Sequence, residues 1–84
     1  MNITNVCAMN KETHFSVDGC RYVIHVLRKR CADDDYKVLL CNETSIYGTP
    51  LGTFYVKGDL INKKGRITQD GIIHILLKYK VDKL

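Results

Sequence analysis

The stretch Ile67-Thr68-Gln69-Asp70-Gly71-Ile72-Ile73-His74-Ile75-Leu76-Leu77-Lys78-Tyr79-Lys80-Val81 decides how this chain is read. Its odd positions from Ile73 to Val81 are apolar without a break, while the even ones turn basic toward the end. That alternation is the period of a strand buried on one face, and on both over its first half. A helix would gather Ile73, Leu76, Leu77 and Lys80, so the segment admits that conformation too. The β-branched residues and the preceding Asp70-Gly71 favour the strand.

Asp-Gly between apolar runs marks a hairpin, because glycine takes positive φ without a Cβ clash and aspartate tolerates it. The chain has two such sites, Asp18-Gly19 and Asp70-Gly71. A two-residue loop at the first pairs Val17 with Cys20 and Phe15 with Tyr22. Val17, Cys20, Phe15, Tyr22, Ile24 and Val26 then share one apolar face. A three-residue loop, Gln69-Asp70-Gly71, at the second pairs Ile67 with Ile73 and sets Arg66 opposite His74.

The two segments also resemble each other. Asn10 to Gly19 aligns with Asn62 to Gly71, and Val23 to Leu27 with Ile72 to Leu76, so that Lys29 falls on Lys78 and eight positions are identical. The expectation is a single domain, 1–84, with a duplicated hairpin over 10–30 and 62–80. Between the copies, Tyr36 to Cys41 reads as a strand, Gly48 to Gly52 as a loop around Pro50, and Thr53 to Lys57 as a further strand. Asn62-Lys63-Lys64-Gly65 reads as a turn, and Cys31 to Tyr36 has room for one short helical turn. The fold class expected is therefore all-β, a small antiparallel sheet, barrel or sandwich of about six strands with two related Asp-Gly hairpins.

Composition narrows the function. The chain has 84 residues, 45% hydrophobic and 26% charged, enough for one modest core and too few for a second domain or a deep substrate cleft. No apolar run is long enough to span a membrane, and Met1 to Asn5 lacks the pattern of a secretory signal, so a cytoplasmic location is expected. The four cysteines, Cys7, Cys20, Cys31 and Cys41, form no C-x-x-C pair. They are read as reduced thiols, with Cys20 and Cys41 filling core space. Phe, Tyr, Met, Ile, Asn and Lys total 31 residues against 13 for Gly, Ala, Arg and Pro, the bias of AT-rich codons, which fits a phage or viral accessory protein.

Thirteen Lys and Arg against nine Asp and Glu give a net charge of +4. Residues 1–56 balance at six basic and six acidic, so the excess lies in residues 57–84, with a second focus at Arg28-Lys29-Arg30. Folded as two hairpins, the chain collects His14, Arg21, His25 and Lys29 on one outward face with Lys64, Arg66, His74, Lys78 and Lys80. Arginine forks and mobile lysines in such a stripe suit phosphates, with Tyr36, Tyr47 and Tyr55 available for base stacking. The competing view is a solvated lysine-rich surface. Val23, Leu27, Ile72 and Leu76 share the same outward face and need cover, either from a second copy in a homodimer or by closure of a barrel or sandwich that makes them internal.

The histidines lack the spacing of a metal site or of an acid–base pair, and Asp33-Asp34-Asp35 lacks the glycine and distal glutamate of a calcium loop. No catalytic residue, metal or cofactor is expected. The expected function is a non-enzymatic nucleic-acid-binding protein, RNA favoured over DNA, with contacts from Arg21, Arg28, Lys29, Arg30, Lys63, Lys64, Arg66, His74, Lys78 and Lys80. The alternative is a protein-binding inhibitor or adaptor that docks on a host enzyme through an apolar face or an open sheet edge. A small nuclease using His25 or His74 ranks below both.

Overall fold

The computed structural model describes residues 2–29, 35–43 and 49–83. Five strands, β1 (Ile3–Met9), β2 (Glu12–Val17), β3 (Cys20–Lys29), β4 (Asp35–Asn42) and β5 (Thr49–Lys57), precede a 3₁₀ turn (Gly58–Leu60) and one helix, α1 (Gln69–Lys83). The strands form a single antiparallel meander in the order β1-β2-β3-β4-β5.

The first Asp-Gly signal folds as its chemistry dictates. Asp18 and Gly19 both take positive φ, 51° and 84°, and the turn pairs Val17 with Cys20 and Phe15 with Tyr22. From that register one face follows along the whole sheet. Phe15, Val17, Ile24, Val26, Val38, Leu40, Phe54 and Val56 all point to the core side and are buried. Cross-strand neighbours on that face stack, as Phe15 and Tyr22 do with ring centroids 5.8 Å apart.

The second Asp-Gly signal folds otherwise, and this overturns the all-β expectation. Residues 69–83 are helix, so the chain is a five-stranded open sheet with a helix on it. It is neither a six-stranded barrel nor a sandwich, because the edge strands β1 and β5 do not pair. Ile72, Ile75 and Leu76 are buried with Tyr79 packed against them, the i, i+3, i+4, i+7 spacing of a helical stripe. The period-two pattern is a coincidence of an apolar-rich helix whose Ile73 and Leu77 face outward.

Local chemistry fixes the start of α1. Thr68 Oγ1 accepts the Gly71 N–H at 3.2 Å, and the Thr68 carbonyl accepts the Ile72 N–H at 3.0 Å, so Thr68 is the N-cap. Asp70 then lies in the first turn, where the helix dipole favours a carboxylate. Gly71 is not in the positive-φ region. It is glycine because a Cβ there would stand 2.5 Å from Ile67 Cγ1 and 3.1 Å from the Leu60 carbonyl oxygen. The duplicated hairpin is thus a likeness of residues without a likeness of structure.

Two further expectations are corrected. Pro50, read as part of a loop, lies within β5 opposite Cys41 beside a register shift, and Ile3–Met9, to which the sequence assigned no element, is a strand. β5 is an edge strand, one of the few places in a sheet where proline is tolerated. Cys41 is buried and burial pushes its thiol up, but Cys20 is exposed at the hairpin turn and fills no core space. The expected helical turn at 31–36 lies mostly outside the described residues, as do Arg30, Tyr47 and Gly48, while Asp35 and Tyr36 belong to β4. Among the described residues, no helix is long and apolar enough to cross a membrane.

Candidate anion-binding cleft

The expected basic stripe along two hairpins does not form, and its members separate into three groups. The first lies on the sheet face opposite α1, where the register sets Glu12 beside His25, His14 beside Val23, and Ser16 beside Arg21. His14 Nδ1 lies 3.0 Å from Glu43 Oε1, and its Nε2 lies 3.5 Å from Glu12 Oε2. His25 Nδ1 lies 3.2 Å from Glu12 Oε1. The Arg21 guanidinium sits 3.5 Å from Glu43 Oε2 and donates to Ser16 Oγ at 3.2 Å.

Two glutamates therefore answer the three nitrogenous side chains on this face. Paired charges project little field, so the face attracts a polyanion weakly. Lys57 is similarly held, 3.2 Å from Asp35 Oδ1. Asp35 is the one member of the acidic triplet within the described residues, and it faces a lysine. No group of three or more His, Cys, Asp or Glu able to hold a metal ion occurs among the described residues.

The second group rides on α1. At 3.6 residues per turn His74 and Lys78 fall on one flank and Lys80 on the other, with Ile73 and Leu77 between. The helix divides what a strand would have aligned. It also takes Ile72 and Leu76 into the core, which removes half of the outward apolar set that suggested a homodimer. Of the rest, Val23 is buried within the far face and Leu27 is exposed. Arg28 is exposed toward the end of β3, opposite Lys37, and Lys29 closes that strand.

The third group is gathered. Ile61 and Ile67 bridge as an isolated pair, closing a small loop whose inner geometry Asn62 sets. Asn62 Oδ1 accepts the N–H of Lys64 at 2.9 Å and of Arg66 at 3.0 Å, and its carbonyl accepts the Gly65 N–H at 3.0 Å. Gly65, at φ 80°, lets the chain turn back. Arg66 Nε then donates to the Asn10 carbonyl at 3.0 Å, which ties this loop to the β1–β2 turn.

Between loop and sheet lies a cleft of about 440 Å³. Lys63, Lys64 and Arg66 form its cationic side, Val6, Ala8 and Ile67 its apolar side, and Asn62 and Thr13 complete the lining. No carboxylate lines it, and no ion pair joins these three cations to a carboxylate among the described residues. Three cations lining one surface without a carboxylate offer an anion several donors at once.

The sequence singled out Lys63, Lys64 and Arg66 but none of their neighbours in the cleft. Val6 and Ala8 sit on a strand with no alternation to reveal it, every residue from Thr4 to Met9 being exposed. Asn62 carried a turn signal and nothing more. Of the tyrosines offered for stacking, Tyr36 packs against the core and Tyr55 is exposed on β5, and neither lines the cleft. No family model, curated protein or solved structure matches the chain.

Proposed function

We propose that this chain is a small non-enzymatic nucleic-acid-binding protein, with RNA favoured over DNA, that holds the phosphate backbone at the loop 62–66. The observation that carries this is the convergence of Lys63, Lys64 and Arg66 on one cleft without a carboxylate. Lys78 adds a further cation on one flank of α1, with His74 beside it, while Arg21 is withdrawn from the binding set by its contact with Glu43. The AT-rich codon bias favours a phage or viral accessory protein acting in a host cytoplasm.

The test is the affinity of a labelled single-stranded RNA measured over a range of salt. Joint substitution of Lys63→Glu and Lys64→Glu should weaken binding at least tenfold and reduce the salt slope by about 1.4, roughly 0.7 for each phosphate of a single strand no longer neutralised. Arg21→Gln should leave affinity within about twofold, since a screened, paired charge contributes little. Equal weakening in both variants would return the binding surface to the sheet face and defeat this assignment.

A second reading, docking on a host protein, draws on β1. It is an edge strand exposed from Thr4 to Met9, including Val6 and Met9. Such an edge can accept a partner strand, from another protein or from a second copy of this chain. That reading requires a complex that survives nuclease and fails with Met9→Lys.

A further inference from the structure

We infer that the cleft receives a whole nucleotide, phosphate against Lys63, Lys64 and Arg66 and ring against Val6, Ala8 and Ile67, rather than a phosphate alone. This rests on the nucleic-acid reading above and specifies its ligand. An inorganic anion needs only the cationic side. The apolar half would be exposed to water for no gain if nothing covered it, whereas a ribose and base laid on Val6 and Ala8 remove that surface from solvent. The cleft volume of about 440 Å³ falls in the range of about 300–1,000 Å³ usual for small-molecule sites.

Thr13 supplies an independent observation. It lines the cleft, is only 2% exposed, and its Oγ1 has no hydrogen-bond partner. A buried hydroxyl left unpaired carries a desolvation penalty, and a sugar hydroxyl of the ligand would relieve it once the lining shifts to admit it. The rest of the lining offers little to read a base edge. Asn62 Oδ1 is already occupied by two backbone N–H groups, and no aromatic ring lines the cleft. Binding is therefore indifferent to the base.

The experiment titrates the full chain with inorganic phosphate, adenosine, AMP and UMP, following backbone amide shifts. AMP and UMP should bind within about threefold of each other, because no base edge is read. Both should bind at least about tenfold more tightly than phosphate or adenosine, since only the nucleotide covers both halves of the cleft. Ala8→Glu, at an exposed strand position, should abolish nucleotide binding while the remaining amide spectrum keeps its dispersion. AMP that displaces labelled RNA makes a nucleotide of the strand the occupant. AMP that binds without displacing it makes the free nucleotide the occupant.

Phosphate binding as tightly as AMP would overturn the inference. So would RNA binding that responds to the Lys63 and Lys64 substitutions while no nucleotide binds, and in that case the backbone-binding function stands. Failure of RNA itself to bind would remove the function on which the inference rests.

Discussion

Gly71 is kept small by a neighbour rather than by its torsion angles. A methyl group there meets Ile67 Cγ1 at 2.5 Å, far inside van der Waals contact. Alanine should gain up to about 1 kcal/mol of helix propensity and lose about 1–3 kcal/mol to overpacking. Chemical denaturation of Gly71→Ala should therefore show a net destabilisation of about 1 kcal/mol. Trimming the obstacle with Ile67→Ala in the same chain should shrink the cost of the Gly71→Ala step, with the Leu60 carbonyl at 3.1 Å still in place, a coupling that a double-mutant cycle measures. A hairpin glycine needed for positive φ would stay intolerant whatever stood at Ile67. At the sequence level the two kinds of glycine are the same letter after the same aspartate, which is why Asp18-Gly19 was legible and Asp70-Gly71 was not.

Among the elements, α1 shows where patterning stops being decisive. Ile72, Ile73, Ile75, Leu76, Leu77 and Tyr79 satisfy a period of two and a period of 3.6 equally well. Burial on the sheet selects the helix against the β-branched preference of its three isoleucines, since tertiary packing outweighs a few tenths of a kcal/mol per residue. The alternatives assign opposite roles to adjacent leucines. In the helix Leu76 is buried and Leu77 is 53% exposed, whereas a strand would bury Leu77 with Ile73 and Ile75. Leu77→Lys should change stability by no more than about 0.5 kcal/mol, and Leu76→Lys should cost more than about 3 kcal/mol. A thermal melt of each variant decides between them. The β2–β3 hairpin and most of β4 were readable because alternation and turn chemistry agreed there. β1 was not, because an exposed edge strand needs no alternation, and the first residues of β5 were hidden behind Pro50.

At the scale of the whole molecule, the meander separates two surfaces that the sequence had merged. One face of the sheet is sealed by α1 and the core beneath it. The other carries His14, Arg21 and His25 beside Glu12 and Glu43, a set of contacts that neutralises its charge internally. Of the cations left to act outward, those of the loop 62–66 share one cleft, which the chain reaches only after crossing from β5, and Arg66 fastens that loop to the β1–β2 turn. Half of the candidate site was visible as Lys63, Lys64 and Arg66. Its other half, Val6, Ala8 and Thr13, depends on the approach of two segments that lie far apart in the chain, which no local pattern encodes.

The most direct measurement is an amide shift map of the isotopically labelled protein with a short single-stranded RNA. Perturbations should concentrate at Asn62 to Ile67 and at Val6, Ala8 and Thr13, with His14, Arg21 and His25 unmoved. Perturbations centred on the His14–Arg21–His25 face, or none at all, would contradict a binding cleft at the loop 62–66.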